Sequence, residues 1–317
     1  TLFGGVRLWP GAVAVVEPEF SDGGGPPNVS GVGGYLDGNI IRVAKVGVEP
    51  YVARAFLHQD LALGPAAAAG AGEDEDEGAA EEPEEPFGAS GPSALGRPRP
   101  ASRLELTAGK FATTDFFDVA SASSDPRHRF MNWSLMTNGA WDYAADTRGY
   151  TWGAVVALEQ PRWAIRAAVA LVPTTPNGST LDGDLAHARS EMAEAEVRYR
   201  VLGQGGAVKL LGFVNHVRAG KYADALAAAA RGEAPRLGPV ERVGAVKYGL
   251  GLLADQRLGP AAAFLRLSWN DGATETFAFT EIDRAVSAGV DLPTRGFGRA
   301  DDHVGLGVAV NGLSPDH

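Results

Sequence analysis

The chain has 317 residues, enough for one large domain or two ordinary ones, with 42 glycines and no cysteine. Without cysteine it has neither a disulfide scaffold nor a thiolate metal site. Its formal charge of −11 is local: nine acidic residues and no basic one lie between Glu73 and Glu85, and setting those nine aside leaves −2. The near-neutral remainder has no Lys/Arg stripe with interleaved aromatics, which argues against nucleic-acid binding. No run approaches the roughly 18 apolar residues of a membrane helix, and TLFGGVRLWPG does not read as a signal peptide. The patterned segments begin and end abruptly, as in a trimmed polypeptide.

Alternation with period two, the mark of strands, runs through most of the chain. In order it predicts strands near 1–8, 12–20, 51–63, 103–112, 149–159, 162–172, 189–202, 206–218, 241–255, 259–269, 276–292 and 302–311. Most carry charge on one alternating set only. Glu17 and Glu19 share one set of Ala12–Phe20, while Trp163, Ile165, Ala167, Val169 and Leu171 oppose a set holding Arg166. Ala193, Ala195, Val197, Tyr199 and Val201 oppose Glu194, Glu196, Arg198 and Arg200. Between the third and fourth strands, residues 64–101 are rich in Ala, Gly, Pro and acids, cannot bury enough apolar area to order themselves, and are expected to be disordered.

The connections segregate by length. WPG, QPR, LGQGG and ADQRLG are tight, whereas 21–50, 113–148, 173–188 and 219–240 are long. A transmembrane barrel has short periplasmic turns and longer external loops; a soluble sandwich has no reason to sort them. Two places depart: the 64–101 insertion falls on the short-turn side, and 270–275 is short on the long-loop side. Tyr150, Trp152, Trp163, Trp269, Phe277 and Phe279 sit near strand ends, as expected of aromatic girdles. Loop 113–148 is too aromatic for disorder and is the best candidate for an inward-folded constriction, with Asp115, Asp118, Asn132, Trp141, Asp142, Tyr143 and Arg148 as its candidate groups; the alternative is that it packs on the barrel rim as a structural plug.

Other chemistry has little support. The six histidines, at 58, 128, 187, 216, 303 and 317, lack metal-ligand spacing. The acidic run lacks the EF-hand pattern, GQGG at 203–206 opens no phosphate-binding helix, and the sequons at Asn28, Asn132 and Asn177 are three-residue matches only.

LTAGKFATTDFFD (106–118), DPRHRFMNWSLMTNGAWDYAADTRGYTWGAVVALEQPRWAIR (125–166), WNDGATETFAFTEIDR (269–284) and GRADDHVGLGVAVNGLSPDH (298–317) strongly resemble the carbohydrate-selective porin family, of which OprB is the type. The resemblance covers nearly the whole chain except the acidic insertion. It implies an all-β transmembrane antiparallel barrel of sixteen strands in the bacterial outer membrane. About twelve would be present here, with one strand missing before Thr1 and three after His317. The implied function is passive diffusion of sugars such as glucose, with outer-membrane lipid and small sugars as partners, and with no enzyme activity, cofactor or metal. On strand parity the pore-lining candidates are Arg7, Glu17, Glu19, Arg54, Glu105, Arg166, Glu194, Glu196, Arg198, Lys247 and Arg266, because a charge on the lipid face costs roughly 2–4 kcal/mol at the midplane. Two alternatives stand beside this: a soluble secreted β-protein acting on glycans, with Asp115 and Asp118 as paired carboxylates, and a plugged barrel serving as adhesin or anchor. Sequence does not specify the preferred sugar, the constriction size or the oligomeric state.

Overall fold

A computed structural model describes residues 2–21, 49–64, 99–124, 129–277, 281–294, 299 and 302–317. The acidic insertion and the 21–50 loop lie for the most part outside the described residues, as do Asn28, His128 and Phe279. Among the described residues, twelve strands form a single sheet in sequence order, each antiparallel to the next. They are β1 (Gly4–Trp9), β2 (Ala12–Ser21), β3 (Glu49–Ala62), β4 (Arg103–Phe111), β5 (Thr151–Glu159), β6 (Trp163–Ala170), β7 (Arg189–Val201), β8 (Gln204–Ala219), β9 (Arg242–Leu258), β10 (Ala261–Asn270), β11 (Arg284–Pro293) and β12 (His303–Gly312). Among the described residues two short α-helices, α1 (Trp133–Met136) and α2 (Tyr222–Ala230), lie in connections, and no described helix is long and apolar enough to cross a membrane.

Registered rows show the sidedness. Val13, His58, Thr107, Val155, Ala168, Met192 and Phe213 pair one to the next across β2–β8 and are all buried. One step along, Leu57, Ala108, Ala154, Val169, Glu191 and Val214 form the neighbouring row, with Leu57 56% and Val169 43% exposed on the opposite face. Side chains alternate across a strand, so one face is covered and the other is open.

The covered face is the inside of a curl. Asp115 binds Arg54 on β3, and Asp118, three residues later, binds Arg266 on β10. Three residues span at most about 11 Å, whereas seven strand spacings laid flat would cover about 34 Å. The sheet must therefore bend around the segment between β4 and β5. Within the curl Phe213 lies so close to Gly249 that a Cβ there would meet its ring at 2.6 Å.

Tight turns gather at one end of the curl: Pro10-Gly11, Gln160-Pro161-Arg162, Leu202-Gly203 and Gly259-Pro260. Leu202 and Gly203 both have positive φ, 51° and 77°, the two-residue turn that matches strand twist. The opposite end carries 112–150, 171–188, 220–241 and 271–283. That last connection corrects the expected strand at 276–292 and the short 270–275 loop: Asn270 donates to Ala140 O and Ile282 O, drawing the segment inward, so β11 begins only at Arg284. The turn expected at ADQRLG is likewise shifted, because β9 keeps pairing with β10 to Leu258.

Aromatics on the open face form two rows, Trp9, Trp163 and Tyr199 toward the tight turns and Phe20, Trp152, Tyr248 and Trp269 toward the long connections. Eight residue steps separate the rows on β8, from the partner of Tyr199 to the partner of Glu191. At barrel tilt this is a height of about 20 Å, approaching the roughly 25 Å apolar band of such barrels. Tyr150 and Phe277, expected in the girdle, instead point inward: Tyr150 donates to Glu19, and Phe277 is 3% exposed with its backbone N–H on Asp142. Placing a charge midway between the rows should be costly. Ala195→Arg, between Ile165 and Leu210, is expected to lower stability in lipid by about 2–4 kcal/mol, measured by reversible unfolding from vesicles.

Candidate functional site

The charges forced onto the covered face meet in three groups. Toward the long connections, Arg54 donates from Nη1 to Glu17 and from Nε and Nη2 to Asp115 at 2.7 and 2.6 Å. Its guanidinium carbon lies 5.3 Å from the centre of the Tyr150 ring, itself 5.9 Å from the ring of Tyr51. Tyr51 donates to Asp146. Lys110, from an outward strand position near the rim, brings Nζ within 3.9 Å of the Tyr51 ring, and Arg148 lies 4.5 Å from it. Burial pushes the Tyr150 hydroxyl up, and Glu19 and Asp115 add to this against Arg54, so at neutral pH it is a donor. Tyr51, Arg54, Asp115, Arg148 and Tyr150 are each partly exposed.

The second group spans β5–β8. Arg166 lies within 2.8 Å of Glu159 and Glu194 and 2.7 Å of Glu196. Arg198 bridges Glu159 and Glu196 at 2.7 and 2.6 Å, and Lys209 lies 3.4 Å from Glu196. Three carboxylates face three cations. In the third group, Arg99 and Arg103 bind Glu105 at 2.7 and 2.6 Å, and Arg99 donates to Asp60 at 2.8 Å. The ring nitrogen and carboxylates of His58, Asp60 and Glu105 converge within 4.8 Å, close enough to hold a metal ion. The guanidinium of Arg99 fills that space, 3.0 Å from His58 Nε2, which also lies 3.0 Å from Asp60 Oδ1, while His58 Nδ1 is 2.8 Å from Thr107 Oγ1.

The segment between β4 and β5 packs inside the curl. Phe117, Trp133, Met136, Trp141, Tyr143 and Ala144 form an apolar cluster with Val155, Met192, Leu211 and Phe213 of the wall. Polar ties fix its ends. Glu194 accepts from the Asp118 N–H at 2.7 Å, Asp255 from the N–H and hydroxyl of Ser121, and Lys209 donates to Val119 O. Of the groups expected on a constriction, Asp115 and Arg148 are partly exposed. Trp141, Asp142 and Tyr143 are 2, 2 and 4% exposed and hold the loop to the wall, Asp142 by accepting from Asn215 and Phe277. Asn132 caps α1 by accepting from the Ser134 N–H.

Of the wall residues expected from parity, Glu17, Glu19, Arg54, Glu105, Arg166, Glu194, Glu196 and Arg198 all lie in these groups. Arg7, in register with Val13, is exposed on β1. Lys247 and Arg266 face inward but are 0 and 1% exposed: Lys247 donates to Thr274 O, and Arg266 gives its hydrogen bonds to the inward segment. Parity reasoning did not single out Tyr51, Asp60, Arg99, Arg103, Lys110 or Lys209. For Tyr51 the cause is a bulge: Glu17 pairs with Arg54 but Pro18 with Val52, so Ala53 is an extra residue and the alternation resets.

An antiparallel sheet that is apolar outside between two aromatic rows, ionic inside, and wrapped around a long connection is a porin-type transmembrane β-barrel fold. Residues 23–317 match the family described as Carbohydrate-selective porin, OprB family, and the chain belongs to that family, one of channels rather than enzymes. The solved high-pH structure of Pseudomonas putida OprB resembles it with a TM-score of 0.56 at 16% identity over 85% of this chain. The chain spans 56% of the length of that protein. No curated protein matches the sequence. The ion groups make a direct prediction. Arg166→Ala leaves three carboxylates facing one another with too few cations, and should cost about 3–5 kcal/mol in unfolding measurements.

Proposed function

We propose that the protein forms a diffusion channel for small neutral sugars such as glucose in the bacterial outer membrane. In this reading the strands span the bilayer, the tight turns face the periplasm, and residues 64–101 interrupt one barrel domain on the periplasmic side. Family membership and the two-faced sheet support this, but the observation that carries it is the pairing of charge along the inner wall. Two arginines that keep some exposure are matched by carboxylates at hydrogen-bond distance, Arg54 by Glu17 and Asp115, Arg166 by Glu159, Glu194 and Glu196. Such a wall has little net field to draw ions, yet offers N–H donors and carboxylate acceptors to a solute that carries both kinds of hydroxyl partner. It exchanges hydration for hydrogen bonds without holding the solute, which diffusion requires.

The aromatic groups fit the same role in a specific way. Cations cover the rings of Tyr51 and Tyr150, so what these residues present to a sugar is edge and hydroxyl rather than a bare stacking face. Neither the reaction of a nucleophile nor a bound group is needed; Asp115 and Asp118, the carboxylates of a conceivable glycan hydrolase, are each bound to an arginine.

Arg54→Ala tests the reading by leaving Glu17 and Asp115 unmatched at the mouth. In planar bilayers the full-length variant should show a cation-over-anion permeability ratio at least threefold above wild type, and in liposomes a slower uptake of glucose. Wild-type protein that inserts but passes neither ions nor sugar would instead fit the plugged anchor.

A further inference from the structure

We propose that Arg266 is a positioning residue for the sugar path: it does not touch the solute, but fixes the arm Thr113–Ser124 of the inward segment and thereby sets the width of the passage. This rests on the channel reading above. Arg266 is 1% exposed on β10, between Leu265 and Leu267 of the outer face. Its hydrogen bonds all go to the inward segment. Nε donates to both carboxylate oxygens of Asp118 at 3.0 Å, Nη1 to Ser123 Oγ and Leu135 O at 2.7 Å, and Nη2 to Asp118 O at 3.0 Å and Ser124 Oγ at 3.1 Å.

A group meant to meet solute would keep some surface, as Arg54 and Arg166 do with side chains 17 and 11% exposed. Arg266 instead gathers three separate stretches, at 118, 123–124 and 135, under one planar donor. Asp118 is held with φ of 57°, a conformation that a non-glycine residue keeps only when its surroundings fix it. Its carboxylate also accepts from the backbone and side-chain amides of Asn138, at 2.6 and 2.7 Å.

The arm joins the two solute-facing groups. Asp115 sits on Arg54 at the mouth, and the Asp118 N–H sits on Glu194, whose other oxygen holds Arg166. Displacing the arm therefore alters the gap between segment and wall at both places. Removing the guanidinium takes a donor from the buried Asp118 carboxylate, from two hydroxyls and from two carbonyls, so the arm should move toward water. A lysine restores charge but not the planar spread of donors.

The test uses full-length protein in liposomes, comparing Arg266→Ala and Arg266→Lys with wild type for uptake of glucose and maltotriose, alongside heat-modified gel mobility and hydrogen exchange of residues 118–124. Arg266→Ala should raise the maltotriose-to-glucose rate ratio at least threefold and speed exchange in the arm at least tenfold while the barrel stays folded, with Arg266→Lys between. Should Arg266→Ala fail to fold, Ser123→Ala combined with Ser124→Ala removes two acceptors more gently and should shift the ratio the same way. An unshifted ratio in a folded variant that takes up glucose overturns the role of Arg266 alone. Wild-type protein that takes up no sugar overturns the channel reading, and this role with it.

Discussion

The constraint on which this structure depends is that a charged side chain in the sheet has one face available to it. In lipid, the outer face tolerates Leu, Val, Ile and Ala between aromatic rows, and every strand hydrogen bond must be made within the sheet. Between those rows charge on β2–β10 is therefore driven to a common interior, where desolvation makes an unmatched ion expensive and a matched one affordable only with good geometry. The result is an interior in which cations and carboxylates answer each other across neighbouring strands, Arg166 against Glu194 in register and Arg54 against Glu17 in register. Neutrality follows from the packing problem before any solute is considered.

The interior is also where the apolar core lies. In a soluble sandwich, two sheets bury their inner faces on each other; here the wall from β5 to β8 buries Val155, Ala168, Met192, Leu211 and Phe213 against aromatic residues of one long connection. That connection consumes part of the ionic lining as well. Glu194 is shared between the Asp118 N–H and Arg166, so one carboxylate belongs to both the anchor and the open wall. Structural and solute-facing roles are thus linked through single residues, and the two cannot be separated by listing inward charges.

Sequence made the fold legible because the signal is the period itself: a strand with one lipid face must alternate, and tight turns between strands leave short, recognisable breaks. It failed where the chain departs from that period. The bulge at Ala53 resets alternation and hides Tyr51 beside Arg54. Residues 276–277 read as strand, yet they turn inward because Asp142 takes the Phe277 N–H. The end of β9 was misplaced for a milder reason, since Asp255-Gln256-Arg257 is polar enough to read as a turn while it still pairs with β10.

The candidate site was legible as a direction, not as an arrangement. Parity put Arg54, Arg166, Lys247 and Arg266 on one face, and the structure places all four there. It could not distinguish those left partly open from those covered, because covering depends on a segment distant in sequence: Arg266 meets Asp118 across 148 positions. A buried guanidinium with every donor directed to a loop and a half-open one between two carboxylates have the same signature in a strand, an isolated Arg among apolar neighbours. What separates them is which acceptors the folded loop brings, and those acceptors are Asp118, Ser123, Ser124 and Leu135 for one and Glu17 and Asp115 for the other. The chemistry of the wall is therefore set by the path of one connection as much as by the strands that hold the charges.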